Sequence, residues 1–309
     1  MKKVFIDGSA GTTGIRIYER LAERDDIKLI ILPEQQRKDS ASRAVALNEA
    51  DVAILCLPDI AAREAVSMIE NPDTVVIDTS TAHRTAPGWV YGFPELSEVH
   101  KDAIYKAKRI AVPGCHASGF IALTAPLRAA GILAEGTLFS CFSLTGYSGG
   151  GKKMIAEYEA KPTPKELHAP RQYALSQSHK HLPEMAAQSG LPAPVFCPVV
   201  GDFYSGMQVT VPLFASQCTA KGTIEEITEI YKKTYQGPIV TFTEPDDKNG
   251  FLSAAAMQNR DCMHISITGN EERMLLLAVY DNLGKGASGA AIECLNMVLG
   301  AEPTKGLCL

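Results

Sequence analysis

A cysteine follows Pro-Gly in Ala111-Val112-Pro113-Gly114-Cys115-His116-Ala117-Ser118-Gly119-Phe120, where a turn leads into an apolar run. A thiol placed by such a turn at the start of a helix meets unpaired backbone N–H groups and the positive end of the helix dipole, and both stabilise a thiolate. Cys115 is therefore expected to titrate below the roughly 8.5 of a free thiol and to serve as a nucleophile. The competing reading is a buried cysteine acting as a small apolar residue. Acyl chemistry on a thiolate also needs a proton acceptor that later donates, and histidine does both near neutral pH. Two histidines stand together in Ser178-His179-Lys180-His181-Leu182-Pro183-Glu184-Met185, so His181 and His179 are both acid–base candidates. His116 ranks below them, because a side chain adjacent in sequence is expected to point away from Cys115.

Three further constellations could bind ligands. Gly8-x-x-Gly11-x-x-Gly14, within Gly8-Ser9-Ala10-Gly11-Thr12-Thr13-Gly14, lies between an apolar strand and a helical pattern. Glycines there let the backbone turn tightly and approach a pyrophosphate seated on a helix N-terminus. After the second strand, Glu34-Gln35-Gln36-Arg37-Lys38 offers Arg37 and Lys38 to a 2′-phosphate, which favours NADP over NAD. Arg84, in Asp78-Thr79-Ser80-Thr81-Ala82-His83-Arg84 behind another strand, is placed to grip a carboxylate or phosphate with its planar fork. Thr145-Gly146-Tyr147-Ser148-Gly149-Gly150-Gly151-Lys152-Lys153 is not a nucleotide P-loop, since Lys153 stands where Ser or Thr is required; it reads as an anion-binding loop or a hairpin bend.

The elements that must position these residues fall into two patterns. Before Cys115, apolar strands at 4–7, 27–32, 51–58, 74–78 and 109–112 alternate with helical stretches, the signature of a doubly wound, Rossmann-like parallel sheet covered on both faces. After it, alternating strands at 137–144, 208–214, 262–267 and 274–280 follow one another without a crossover helix for each pair. They predict an α+β domain with a largely antiparallel or mixed sheet. The expected division is a dinucleotide-binding domain over residues 1–115, completed by a C-terminal helix within 284–309, and a catalytic and dimerisation domain over 116–283. Cys115 would then mark the seam.

Composition narrows the function classes. With 30 Lys and Arg against 35 Asp and Glu, the net charge of -5 and the absence of a long basic stretch argue against nucleic acid as partner. The eight cysteines are scattered without a C-x-x-C pair, so neither a zinc site nor a disulfide framework is indicated, and reduced thiols suit a cytoplasmic protein. No apolar run approaches the roughly 18 residues of a membrane span.

Taken in order, the glycine turn, 78–84, Pro113-Gly114-Cys115, 145–151, His179-Lys180-His181-Leu182-Pro183-Glu184-Met185 and Asp281-Asn282-Leu283-Gly284-Lys285-Gly286-Ala287 resemble the N-acetyl-gamma-glutamyl-phosphate reductases, in their shorter second type, over nearly the whole chain. Aspartate-semialdehyde dehydrogenases are similar in glycine turn and cysteine but carry an Arg-x-x-x-x-x-Gly-His pattern. The stretch 198–207 lacks that histidine. The resemblance implies NADP(H) as cofactor, an acyl-phosphate substrate, a thioester on Cys115 and a homodimer or homotetramer. It implies that Arg84 orients the substrate, that Ser148 and Gly149 border the same pocket, and that Asn282 and Gly284 touch the cofactor. No metal is implied. The alternatives are a dehydrogenase for another acyl phosphate and a non-catalytic NADP(H)-sensing protein.

Overall fold

The computed structural model describes residues 1–219, 222–245 and 249–309. The chain divides into two compact units, one of residues 1–94, 98–114 and 287–307, the other of residues 95–97, 115–286 and 308–309.

In the first unit, β1 (Lys2–Asp7), α1 (Thr12–Ala22), β2 (Ile27–Ile30), α2 (Ser40–Glu49), β3 (Val52–Leu55), α3 (Asp59–Ser67), β4 (Val75–Asp78), β5 (Val90–Tyr91), α4 (Glu98–Lys106) and β6 (Arg109–Ala111) succeed one another. The strands form a six-stranded sheet in the order β2-β1-β3-β4-β6-β5, and every pairing is parallel. Both faces are covered, which explains the unbroken apolar runs. Val4 and Ile6 of β1 pack with Ile17 and Leu21 of α1 and with Ala290–Leu295 of the C-terminal helix Gly289–Val298. Phe5, on the other face, packs with Leu47 of α2 and Ala62 and Ala65 of α3. Side-chain alternation along a strand thus fills two cores at once.

The second unit contains α5 (Cys115–Ala129), β7 (Ser140–Gly146), α6 (Gly151–Glu159), β8 (Arg171–Gln172), α7 (Leu182–Ser189), β9 (Val195–Gly201), β10 (Met207–Phe214), α8 (Ile224–Thr234), β11 (Val240–Phe242), β12 (Met263–Gly269) and β13 (Arg273–Tyr280). Its seven-stranded sheet runs β11-β12-β13-β10-β7-β9-β8. The pairs β7·β9 and β11·β12 are parallel and the rest antiparallel, so the sheet is mixed, as its sequence pattern implies. On β10 the residues Met207, Val209, Val211 and Leu213 are buried, while the alternate positions reach outward to an exposed Phe214. Helix α5 lies against β10 and β13 on the buried side. It is buried on nearly all sides from His116 to Leu127, which is why its sequence lacks an amphipathic stripe.

One local expectation changes. The stretch after β7 is no hairpin bend, because residues 147–150 form a 3-10 turn that runs into α6. Pro183 and Glu184 lie in the first turn of α7, where a proline's missing N–H costs nothing. Strands β5, β8 and β11 have two or three residues each, too few for a periodicity to register. Among the described residues no helix is long and apolar enough to cross a membrane.

Candidate active site

In the first unit the glycine turn has the geometry a dinucleotide requires. Gly8 has a φ of +88°, and a Cβ there would stand 2.3 Å from the Cys56 carbonyl oxygen. A Cβ on Gly14 would stand 2.3 Å from the Gly8 carbonyl oxygen, so only glycine lets α1 approach the turn this closely. Gly11 is the N-cap of α1 and offers no side-chain cap, which leaves the first-turn N–H groups without the side-chain acceptor that usually serves them. Such an N-terminus suits a pyrophosphate, and the residues present fit the group. Arg37 and Lys38 are exposed just after β2, and Arg37 Nε donates to the Leu32 carbonyl.

The segment after β4 is organised by Asp78. Its carboxylate accepts from Ser80 N and Oγ, and it lies 2.6 Å from Nδ1 of His83, whose ring stacks on Trp89. Arg84 is thereby turned inward. Its Nε donates to the Val112 carbonyl at 2.9 Å and its Nη2 to the Thr79 carbonyl at 3.0 Å. Arg84 thus ties together the chain ends after β4 and β6, immediately ahead of Pro113-Gly114.

In the second unit Cys115 is the first residue of α5. The Tyr280 hydroxyl at the end of β13 donates to the Cys115 carbonyl and accepts from the Gly119 N–H. A Cβ on Gly286 would stand 3.0 Å from the Cys115 Cβ. His116 turns the other way, toward β7 and β8. Ser143 is paired with Val209 across the sheet and shares its buried face, which brings its Oγ to 2.6 Å from His116 Nδ1. Tyr173 Oη lies 2.6 Å from His116 Nε2. With both nitrogens engaged by hydroxyls and the ring buried, His116 is pushed down to about 3, mainly by burial and then by His179. It is neutral near pH 7. Burial raises the Tyr173 phenol, and the Cys115 thiol raises it further, which sets the hydroxyl in the field of the cysteine.

The two candidate histidines complete this cluster. Their rings lie 4.8 Å apart, and each is within 6 Å of His116, with Phe196 packed beside them. The loop that carries them is held by Gln177, whose amide exchanges hydrogen bonds with both backbone groups of Phe196. His181 is the N-cap of α7, buried to 5% exposure. Its N–H donates to His179 Nδ1, so a neutral His179 carries its proton on Nε2. Burial lowers His179 below its ordinary value near 6.5, and Lys180 lowers it further. His116 and His179 therefore favour the neutral form.

A stitched set of loops borders the same unit. Asp281 accepts from Ser205 Oγ and from the N–H groups of Asn259, Leu283 and Gly284. Asn282 donates to Ser148 Oγ and accepts from Gly206 N–H, while Ser148 N–H donates to the Tyr204 carbonyl. Gly149 has more room, with Asn282 Nδ2 3.4 Å from where its Cβ would be.

Family models match both parts of the chain, "Semialdehyde dehydrogenase, NAD binding domain" over residues 3–106 and "Semialdehyde dehydrogenase, dimerisation domain" over residues 115–282. The N-acetyl-gamma-glutamyl-phosphate reductase of Sinorhizobium medicae is 44% identical, covering 97% of this chain and 99% of its own. The chain belongs to the semialdehyde dehydrogenase family, in its N-acetyl-gamma-glutamyl-phosphate reductase branch. Proteins named N-acetyl-gamma-glutamyl-phosphate reductase 2 from Nostoc sp. and Pseudomonas putida are 43% and 42% identical over 99% and 98% of this chain, and the alignments cover the same shares of theirs. The aspartate semialdehyde dehydrogenase of Francisella tularensis shares the fold, with a TM-score of 0.74 at 15% identity, covering 97% of this chain and all of that one. Aspartate semialdehyde dehydrogenase II of Vibrio cholerae does so with a TM-score of 0.72 at 15% identity, over 97% of this chain and 98% of that one.

Against that family background the structure redistributes several expected roles. Cys115, His179 and His181 fall in one unit, and His116, set aside for its adjacency to the cysteine, binds the cluster together. Asn282 and Gly284, the residues expected to touch the cofactor, also make contacts within the second unit. Asn282 holds the 145–151 loop, and Gly284 is wedged against the Arg260 carbonyl oxygen, 1.9 Å from where a Cβ would be. Ser143, Tyr173, Tyr280 and Gly119 went unread. Gly119 carried the one usable signal, since a glycine inside an apolar helix usually has a packing reason.

Proposed function

We propose that this chain is an NADPH-dependent reductase of N-acetyl-gamma-glutamyl phosphate, forming N-acetylglutamate 5-semialdehyde in arginine biosynthesis. The observation that carries this reading is Cys115 at the first position of a buried helix, with the next residue inside a cluster of three histidines. The full-length similarity to reductases of that name supports it.

The Cys115 thiolate attacks the acyl carbon, phosphate departs with the electron pair of its C–O bond, and a thioester remains. Bound NADPH supplies the hydride that reduces this carbonyl. His181 protonates the oxygen of the resulting thiohemiacetal, then takes that proton back as the C=O bond re-forms and the thiolate is expelled. His179, whose Nδ1 accepts from the His181 backbone, orients its neighbour. Neutral His116 holds the Tyr173 hydroxyl without competing for the proton.

The first unit is the dinucleotide-binding domain. Gly8, Ser9, Gly11, Thr12, Thr13 and Gly14 receive the pyrophosphate, and Arg37 and Lys38 the 2′-phosphate. Ser148 and Gly149 border the substrate, and Arg84 shapes the turn that delivers Cys115. The outward face of the second unit's sheet exposes Phe142, Phe214 and Leu275, an apolar surface suited to a second copy in a cytoplasmic homodimer or homotetramer.

A crossed panel of N-acetylglutamate semialdehyde and aspartate semialdehyde, each with phosphate and with NADP or NAD, tests the assignment. The N-acetylated substrate with NADP should be turned over fastest; faster turnover of aspartate semialdehyde would transfer the chain to the other branch. The double variant Arg37→Ala, Lys38→Ala should weaken NADP more than NAD, and equal losses would remove both residues from 2′-phosphate recognition.

A further inference from the structure

The Tyr280 hydroxyl occupies an uncommon place. In an α-helix the N–H of residue 119 is the natural partner of the carbonyl of residue 115. Here a phenol from 165 residues away bridges that very pair, accepting from Gly119 N–H at 3.0 Å and donating to the Cys115 carbonyl.

The surroundings are built for this contact. Tyr280 is fully buried, and as the last residue of β13 it is paired with Met207 of β10 and Met263 of β12, so its ring cannot drift. A Cβ on Gly119 would stand 2.7 Å from the hydroxyl and 2.6 Å from Val209 Cγ2, so only glycine admits the phenol here. Six residues beyond Tyr280, Gly286 lets the backbone close on the Cys115 Cβ. One short segment thus holds the nucleophile from two sides.

We propose that Tyr280 is a positioning residue for Cys115, its hydroxyl setting the first turn of α5 and hence the direction in which the thiol projects. The proposal rests on the reading of Cys115 as the nucleophile, but not on the identity of the acyl group. Without the hydroxyl, the first turn of α5 loses the contact that ties it to β13, and the thiol is no longer held in its reactive setting.

The test is Tyr280→Phe in the full-length protein, with two readouts. The first is steady-state turnover with N-acetylglutamate semialdehyde, phosphate and NADP. The second is the pH profile of Cys115 alkylation by iodoacetamide, with Cys115→Ser as the blank for the other thiols. Removing the hydroxyl should lower kcat about 10- to 100-fold with a much smaller change in KM, and should move the alkylation midpoint up toward the roughly 8.5 of a free thiol. Gly119→Ala reaches the same contact from the helix side and should shift the alkylation profile in the same direction; combined with Tyr280→Phe its effect should be less than multiplicative. An unmoved alkylation profile in folded Tyr280→Phe overturns the proposal whatever happens to turnover. A moved profile in a protein that turns over neither semialdehyde leaves the positioning role standing and removes the proposed substrate instead.

Discussion

Cys115→Ser should reduce phosphate-dependent reduction of NADP by N-acetylglutamate semialdehyde by roughly 10,000-fold or more, because loss of a covalent nucleophile removes the reaction path rather than one contact along it. Serine is close in size, and at the head of α5 its hydroxyl can occupy the space of the thiol, so the fold should be retained. The alcohol is a far weaker nucleophile at neutral pH than a thiolate. NADPH binding should persist, since the glycine turn, Arg37 and Lys38 belong to the first unit and Cys115 to the second. Retention of binding with loss of turnover separates a chemical role from a structural one. It also disposes of the non-catalytic sensor, for which Cys115→Ser would have no turnover to lose.

The second large effect is expected from the histidines. His181→Asn should lower kcat by about 100- to 10,000-fold, the range of general acid–base catalysis, while His179→Asn should cost less if, as proposed, His179 acts through its neighbour. Profiles against pH discriminate the two assignments. A base must be neutral to accept a proton, so turnover falls on the acid side as it becomes protonated. That limb should survive in His179→Asn and vanish in His181→Asn. If His179→Asn removes the limb instead, the roles are exchanged, and the wild-type limb must then lie below pH 6.5, because burial and Lys180 both lower His179 from that value.

How much of this was written in the residues depends on the range over which each signal acts. The parallel sheet was legible because Val52–Leu55 and its neighbours are buried on both faces and carry continuous apolar runs. The mixed sheet was legible from the alternation on β10. Cys115 announced itself through Pro113-Gly114, a local turn, and the glycine turn through its spacing. The partners of His116 could not be read, because Ser143 and Tyr173 reach it only through the register of β7 and the pairing of β8 with β9. Tyr280 looked like the end of an apolar strand, since nothing local says that its hydroxyl meets a helix start 165 residues earlier. The backbone partners of Arg84 could not be read for a related reason. A strand-end arginine suggests a ligand, and nothing local says that its Nε and Nη2 also donate to the Val112 and Thr79 carbonyls.

The most direct measurement of the central claim is a single-turnover experiment without reductant, mixing the protein with N-acetyl-gamma-glutamyl phosphate and no NADPH. The expected result is a burst of inorganic phosphate equal to the enzyme present and a thioester-linked N-acetylglutamyl group on the peptide carrying Cys115. That adduct should be discharged to the semialdehyde when NADPH is added. Phosphate release without an adduct, or an adduct on any residue other than Cys115, would contradict it.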